Sequence, residues 1–346
     1  MRNSWKRSEK MHYCISHFFF IMKLSRKMKR GSEMNIIEIE GLTKKFQKKT
    51  AVDNLSLTVE QGQSFGLLGP NGAGKSTIIN ILSGLMKRTS GDIRVFGESL
   101  DAAPLTIKKR IGLVPQEIAL YNDLSALENV KFFAGLYGLR GAKLEDAAKE
   151  ALVFVGLADN LNERPKTFSG GMKRRLNIAC AIAHSPELII MDEPTVGIDP
   201  QSRNYILESI HKLNRRGSTI IYTSHYMEEV EELCNYIAIV DHGKVIAEGT
   251  KEELIQLVTD VKDMRIQINA NGNAIDIEAL KQIKGVQTVE LIGNSEISVT
   301  SSTEVNNLNQ VLATLIAAKI EIMEVNQQTL NLETVFLNLT GRKLRD

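Results

Sequence analysis

No stretch of this 346-residue sequence approaches the roughly 18 consecutive apolar residues that a membrane-spanning helix requires, so any membrane role has to come through a partner. Cysteine is scarce as well. Cys14, Cys180 and Cys234 are too few and too scattered for a disulfide framework or a metal cluster. Cys180 and Cys234 sit among apolar residues and read as small core hydrophobes of a protein in a reducing cytosol. A basic face is missing from the body of the chain. Residues 1–34 carry nine Lys/Arg against two Asp/Glu, so with a whole-chain net charge of +2 the remaining 312 residues sum to −5. A mildly acidic body offers no electrostatic footprint for nucleic acid, and no nucleic-acid partner is expected. The rest of the composition, 43% hydrophobic and 24% charged over a length that suits two domains, is that of ordinary globular protein.

What is present centres on Gly69-Pro70-Asn71-Gly72-Ala73-Gly74-Lys75-Ser76-Thr77. The apolar run Ser64 to Leu68 precedes it and Ile78 to Leu82 follows, so the order reads strand, glycine-rich turn, helix, the context that the G-x-x-x-x-G-K-[ST] pattern needs. Gly69, Gly72 and Gly74 allow φ > 0 and close approach of backbone to an anion. The N–H groups of such a turn and of the helix start point at a phosphate, and the helix dipole adds partial positive charge there. Lys75 then sets a cation beside the β/γ-phosphates, and the Ser76 hydroxyl is placed to ligate Mg²⁺. The chain is expected to bind a nucleoside triphosphate.

Residues 1–34 read as a basic, disordered extension. The apolar run Tyr13 to Met22 contains His17 and no small-residue cleavage site follows it, which speaks against a signal peptide and leaves an interfacial anchor as the alternative. Clean alternation starts at Asn35, directly after Met34, so Met34 is expected as the true start. From 35 to 255 strands mix with helices, the pattern of an α/β domain. Ile36 to Glu40 and Leu55 to Val59 alternate like half-buried antiparallel strands, with Phe46 alone in a polar stretch between them, either an unremarkable exposed ring or one that stacks on a base. Asp92 to Phe96 and Ile111 to Val114 are strands, the latter running into Pro115-Gln116. A helical insert is expected over about 117–170, with helices at Leu127 to Leu136 and Ala142 to Val155. Thr167-Phe-Ser-Gly-Gly-Met172 then opens a helix read from Lys173 to His184; Ser169 is a natural N-cap, while Gly170 and Gly171 permit a ligand near another helix N-terminus.

Leu188 to Met191 fits a strand buried on both faces, with Asp192 and Glu193 at its C-terminal end, where ligands of open parallel sheets sit. Asp192 is placed to hold Mg²⁺ directly or through water, and Glu193 is in reach of a water in line with the γ-phosphate, as a general base requires. A helix from Pro200 through Leu213 leads to the buried strand Ser218 to Tyr222, which delivers Thr223-Ser224-His225. A histidine there can reach a γ-phosphate.

In sequence and spacing, Gly69 to Thr77, Gln116, Phe168-Ser-Gly-Gly171, Leu188 to Glu193, Gly197-Ile-Asp199 and His225 resemble the ATP-binding cassette ATPase over about residues 35–255. The serine–glycine–glycine signature between the two phosphate motifs separates that family from kinases, GTPases and recombinases, and no Asn-Lys-x-Asp base-reading motif occurs. The resemblance implies a P-loop NTPase cassette, a mixed α/β sheet with a helical subdomain. It implies that Lys75, Ser76 and Gln116 hold ATP and Mg²⁺ with Asp192 behind the metal, that Glu193 polarises the attacking water, and that His225 contacts the γ-phosphate. Phe46 matches the aromatic that stacks on adenine. Ser169, Gly170 and Gly171 would contact ATP held by a second copy of the domain, with Asp199 on the same seam, so a homodimer closing on two ATP is implied. Phe168 and Ile198 stand where leucine is usual, and both keep an apolar side chain.

Residues 260–346 carry a second pattern. Strands at Met264 to Ile268, Val286 to Leu291, Glu296 to Thr300 and Ile320 to Val325 alternate with helices at Ile275 to Ile283 and around Leu308, Val311, Leu312 and Leu315, with a tight turn at Gly293-Asn294. That β-α-β-β-α-β order predicts a small α+β domain of ferredoxin-like type. A final helix sets Leu332, Val335, Phe336 and Leu339 on one face. This ending resembles that of cassette ATPases from bacterial exporters whose membrane permease is a separate chain. The implied role is the energising ATPase subunit of a multidrug-type exporter on the cytoplasmic face of the membrane. A cassette ATPase acting on ribosomes or DNA is the rival; it is disfavoured by the single cassette, the acidic body and the lack of a heptad insert. A single-chain P-loop kinase leaves Ser169 to Gly171 and His225 without a role.

Overall fold

The structure, a computed structural model, describes residues 34–47, 49–257, 261–269, 275–293, 295–302, 305–328 and 332–341. The extension expected before Met34 and Asn294 of the expected turn lie outside the described residues. The chain divides into two compact units, one reaching to Lys251 and one covering Glu252–Gly341.

In the first unit, β1 (Asn35–Phe46) and β2 (Lys49–Glu60) place Ile37, Ile39 and Leu42 opposite Val59, Leu57 and Leu55, so the period-two alternation becomes one apolar face. β3 (Ser64–Leu68) leads to α1 (Lys75–Leu82), followed by β4 (Ser90–Val95), β5 (Glu98–Ser99), α2 (Pro104–Lys108) and β6 (Ile111–Val114). The helical insert is α3 (Ala126–Leu136) and α4 (Gly141–Phe154). Then come α5 (Gly170–Ile182), β7 (Leu188–Asp192), α6 (Pro200–Arg215), β8 (Thr219–Thr223), α7 (Met227–Leu233), β9 (Tyr236–Asp241) and β10 (Lys244–Gly249), and α8 (Lys251–Gln256) starts at the last residue of this unit and runs in the second.

The antiparallel strands form a four-stranded sheet in the order β2-β1-β4-β5, and the others a six-stranded sheet in the order β10-β9-β3-β8-β7-β6. Within the latter, β9, β3, β8, β7 and β6 run parallel. All residues of β3, β7 and β8 are buried, as parallel strands covered on both faces require. One core joins the two sheets through Ile37, Leu57, Phe65, Ile78, Ile93 and Ile190. The strand order fixes the site: β3, β8 and β7 are neighbours and β6 adjoins β7, so the segments that follow their C-terminal ends emerge side by side.

Three local readings are corrected. α5 begins at Gly170 rather than Lys173, because the Ser169 hydroxyl accepts from the Met172 N–H at 3.2 Å and closes the first turn around both glycines. It also ends at Ile182, short of His184. The helix expected over Ile275 to Ile283 is only Ile277–Lys281, capped by Asp276, whose carboxylate accepts from the Ala279 N–H at 2.9 Å.

His184 stacks on Tyr137 with ring centroids 3.5 Å apart and donates to the Ile111 carbonyl at 3.1 Å. Burial pulls the imidazole down from 6.5 to about 4. The folded state therefore holds a neutral ring where the unfolded chain takes up a proton, and stability present above 6.5 is lost as pH falls toward 4. Between about pH 7.5 and about pH 5 this is expected to remove up to about 2 kcal/mol. Denaturant titrations at both pH values check it: His184→Gln is less stable at the higher pH but lacks this part of the acid-dependent loss.

In the second unit, β11 (Val261–Asn269), α9 (Ile277–Lys281), β12 (Val286–Ile292), β13 (Glu296–Ser302), α10 (Leu308–Ala317) and β14 (Glu321–Gln328) precede α11 (Leu332–Thr340). The sheet order β12-β13-β11-β14, antiparallel throughout, is the split-βαβ arrangement. Met264, Ile266, Ile297, Val299, Val311 and Leu315 form its core.

Candidate functional site

The turn after β3 is shaped by what lies behind it. A Cβ on Gly69 would sit 2.3 Å from the Val240 carbonyl oxygen, and one on Gly74 2.5 Å from that of Ala51, with Gly74 also at φ 107°. Neither position admits a side chain. Gly74 is the N-cap of α1 and provides no side-chain cap, so the first N–H groups of that helix are left for a ligand. Lys75 is buried, and its Nζ donates to the carbonyls of Gly69 at 2.5 Å and Pro70 at 3.3 Å. Burial lowers its pKa, while Glu193 and then Asp192 act in the opposite direction.

A cavity of about 340 Å³ opens over this turn, lined by Phe46, residues 71–77, Gln116, Glu193 and His225 among others. Its size suits a nucleotide-like ligand. Five separate segments thus meet at one place, and four of them follow the adjacent strand ends β3, β8, β7 and β6. A second cavity, of about 360 Å³, lies between Phe154, Glu187 and Arg216 and contains none of the motif residues.

The acid pair is held by β8. The Thr223 hydroxyl donates to Asp192 Oδ1 at 2.7 Å and accepts from the Glu193 N–H at 3.0 Å. Glu193 adopts φ 49°, a left-handed conformation rare for a side chain of its kind. Its carboxylate is shared: Oε2 accepts from Gln116 Nε2 at 2.9 Å, and Oε1 lies 2.6 Å from His225 Nε2. Gln116 is set by Arg174, a buried guanidinium on α5 that donates to the carbonyls of Pro115 at 2.7 Å and Gln116 at 2.5 Å.

Ser169, Gly170, Gly171 and Asp199 are not among the residues lining this cavity. They lie together at the N-termini of α5 and α6. Asp199 Oδ1 accepts from the Ser202 N–H at 2.9 Å, and this bond first of all holds the carboxyl below its usual range. A Cβ on Gly171 would fall 2.1 Å from Ser202 Oγ and 3.1 Å from Asp199 Oδ2, whereas one on Gly170 meets nothing within 4 Å. Gly171→Ala is therefore expected to destabilise by about 1–3 kcal/mol through overpacking. Gly170→Ala should not, and the denaturant midpoints of the two variants check the contrast.

Sequence reasoning missed Thr223 as an organiser of the acid pair, and it missed Arg174 and Glu229. Thr223 has a signal, as the last residue of a buried strand directly before Ser224-His225. Arg174 and Glu229 have none, because each stands beside residues of the same charge, Lys173 and Arg175 or Glu228, and only packing shows which charge turns inward.

Residues 52–196 match the family described as ABC transporter. The chain is 46% identical over 313 residues, 90% of its length and 100% of the relative's, to the linearmycin resistance ATP-binding protein LnrL of Bacillus subtilis. It is 37% identical, over 90% of its length and 92% of the relative's, to the Nod factor export ATP-binding protein I of Cupriavidus pinatubonensis. Among solved structures, a dimeric ATP-binding cassette in a post-hydrolysis state bound to ADP and Pi superposes with a TM-score of 0.57 at 28% identity, covering 62% of this chain and 98% of that one.

Proposed function

This chain belongs to the ATP-binding proteins of the ABC transporter family, and on that premise we propose that two copies close head to tail on MgATP, each completing the other's site. The chain is an ATP-hydrolysing subunit of an export-type transporter. The observation that supports our assignment of roles is the convergence of Lys75, Gln116, Glu193 and His225 on one cavity while Ser169 and Gly170 stay exposed outside it. One copy has the cradle and the base; the capped, exposed start of α5 is what it can offer to the nucleotide of another.

In this reading the N–H groups of residues 71–77 and the Lys75 ammonium take the β- and γ-phosphates, with Lys75 leaving the carbonyls of Gly69 and Pro70 as it does so. Phe46, 43% exposed at the end of β1, offers a ring face to the adenine. Glu193 orients a water and accepts its proton, and His225 holds the opposite carboxylate oxygen and faces the γ-phosphate. The Ser76 hydroxyl and the Gln116 amide oxygen, both at the cavity, are hard-oxygen donors that would hold Mg²⁺, with the buried Asp192 carboxylate behind it. When bound, Mg²⁺ neutralises charge on the β- and γ-oxygens.

Among the described residues no helix is long and apolar enough to cross a membrane, and the movement of cargo is assigned to a separately encoded permease. The helical insert carries a surface for it. Tyr121, 49% exposed, and Phe132, 41% exposed, pack edge to face at 4.7 Å, and Phe132 meets Phe133 at 5.4 Å, forming an aromatic patch suited to a cytoplasmic helix of the permease. In this reading the chain works at the cytoplasmic face of the membrane, held there by that permease. A pull-down of the tagged chain from detergent-solubilised membranes of its native host is expected to recover an integral-membrane protein. Recovery of ribosomal proteins or DNA instead would overturn the transport assignment.

A further inference from the structure

Behind the Glu193–His225 pair lies a carboxylate that the catalytic reading leaves unused. Glu229, on α7, has no exposed surface at all. A carboxylate in such a place persists only when a cation pairs with it or hydrogen bonds hold it. Three hydroxyls converge on its Oε2: Thr195 Oγ1 at 2.9 Å, Tyr222 OH at 2.7 Å and Ser224 Oγ at 2.5 Å. Arg203 Nε, from α6, lies 2.6 Å from Oε1, and the same guanidinium covers the Tyr226 ring at 4.6 Å. Burial, and after it the Glu229 charge, pushes the Tyr222 hydroxyl well up, so it stays a donor.

The positions of those donors carry the argument. Thr195 follows Glu193 by two residues and Ser224 precedes His225 by one, so both loops that bear the catalytic pair are fastened to one oxygen atom. The Ser224 hydroxyl also accepts from the Tyr226 N–H at 3.0 Å, which holds the backbone on the far side of His225. Arg203 stands one turn into the helix that Asp199 caps, and its backbone N–H donates to the Asp199 carbonyl at 2.9 Å. We infer that Glu229 is a positioning residue for hydrolysis: it sets Glu193 against His225 and, through Arg203, ties that pair to the Asp199 helix start. The inference rests on the proposed roles of Glu193 and His225.

Steady-state ATPase assays on the full chain with MgATP test it, alongside equilibrium binding of a labelled ATP analogue. Glu229→Ala frees both loops and is expected to lower kcat by about a hundredfold, the effect of misplacing a catalytic group by about 1 Å, with KM and analogue affinity within about threefold of the parent. Glu229→Gln keeps an acceptor oxygen for the three hydroxyls and is expected to restore kcat to within about tenfold of the parent. Should Glu229→Ala fail to fold, the Ser224→Ala/Thr195→Val double variant decides the matter, with an expected fall in kcat of at least about tenfold at constant KM. Parent-like kcat in the folded variants, or a loss of analogue binding that matches the loss of kcat, overturns the inference and leaves the proposed function standing. A parent chain in which Glu193→Gln and His225→Ala leave turnover unchanged overturns the proposed function itself.

Discussion

Glu193→Gln is expected to bind MgATP as the parent chain does, to hydrolyse it roughly 10²–10⁴-fold more slowly, and to accumulate as a nucleotide-bound dimer. The substitution preserves size and the backbone, so the φ of 49° and the N–H bond to Thr223 Oγ1 at 3.0 Å have no reason to change. What changes is proton acceptance. The parent carboxylate has two oxygens, one taking a donor from Gln116 at 2.9 Å and one facing His225 at 2.6 Å. An amide retains one of these acceptors and cannot take a proton from water at neutral pH. In the proposed closed pair the phosphate cradle and the signature contacts would remain, so ATP is expected to favour that pair while the step that opens it is blocked. Light scattering behind size exclusion, with and without MgATP, reads the dimer, and a coupled phosphate assay reads turnover. Turnover at the parent rate would remove Glu193 from its proposed role.

Lys75→Ala should weaken nucleotide binding by roughly 10- to 100-fold, the worth of one or two charge-assisted hydrogen bonds to phosphate. The geometry adds a second reason. The ammonium satisfies the carbonyls of Gly69 and Pro70 and lies in the field of Glu193 and Asp192. Without it, the carbonyls of Gly69 and Pro70 lose their donor, and the Glu193 carboxylate that lines the cavity repels a triphosphate with no cation beside it. Lys75→Met keeps the buried apolar stem and separates charge from packing: it should bind as weakly as the alanine variant while recovering its stability. Equilibrium binding of a labelled ATP analogue checks both, and parent-like affinity in Lys75→Met would show that the charge is not used.

Legibility in the sequence followed the reach of each signal. The glycine turn was readable because its constraints are local: the demand for φ > 0 and for a lysine at the start of a helix is written within nine residues. β7 and β8 were readable because strands buried on both faces need unbroken apolar runs. The start of α5 was misplaced because the two glycines have low helix propensity, and the bond between Ser169 and the Met172 N–H overrode it. The five-residue length of α9 was hidden for a related reason, since apolar spacing marks a helical face and says little about where the caps fall.

By itself, the sequence determined which chemistry the chain carries: a phosphate turn, an acid pair after a buried strand, a histidine after another, and a signature at a helix start. Those follow from residue type and spacing over a few positions. Only the tertiary structure decided that the strand order β3-β8-β7-β6 brings Lys75, His225, Glu193 and Gln116 into one cavity, and that the signature lies outside it. It also decided that Thr223, Arg174 and Glu229, rather than their many polar neighbours, turn inward, Thr223 to Asp192, Arg174 to the Gln116 carbonyl and Glu229 to Ser224. The reason is physical. Pairing between strands far apart in the chain, and the burial of one charge among several on a helix, are settled by packing over the whole core, which no short stretch of sequence records.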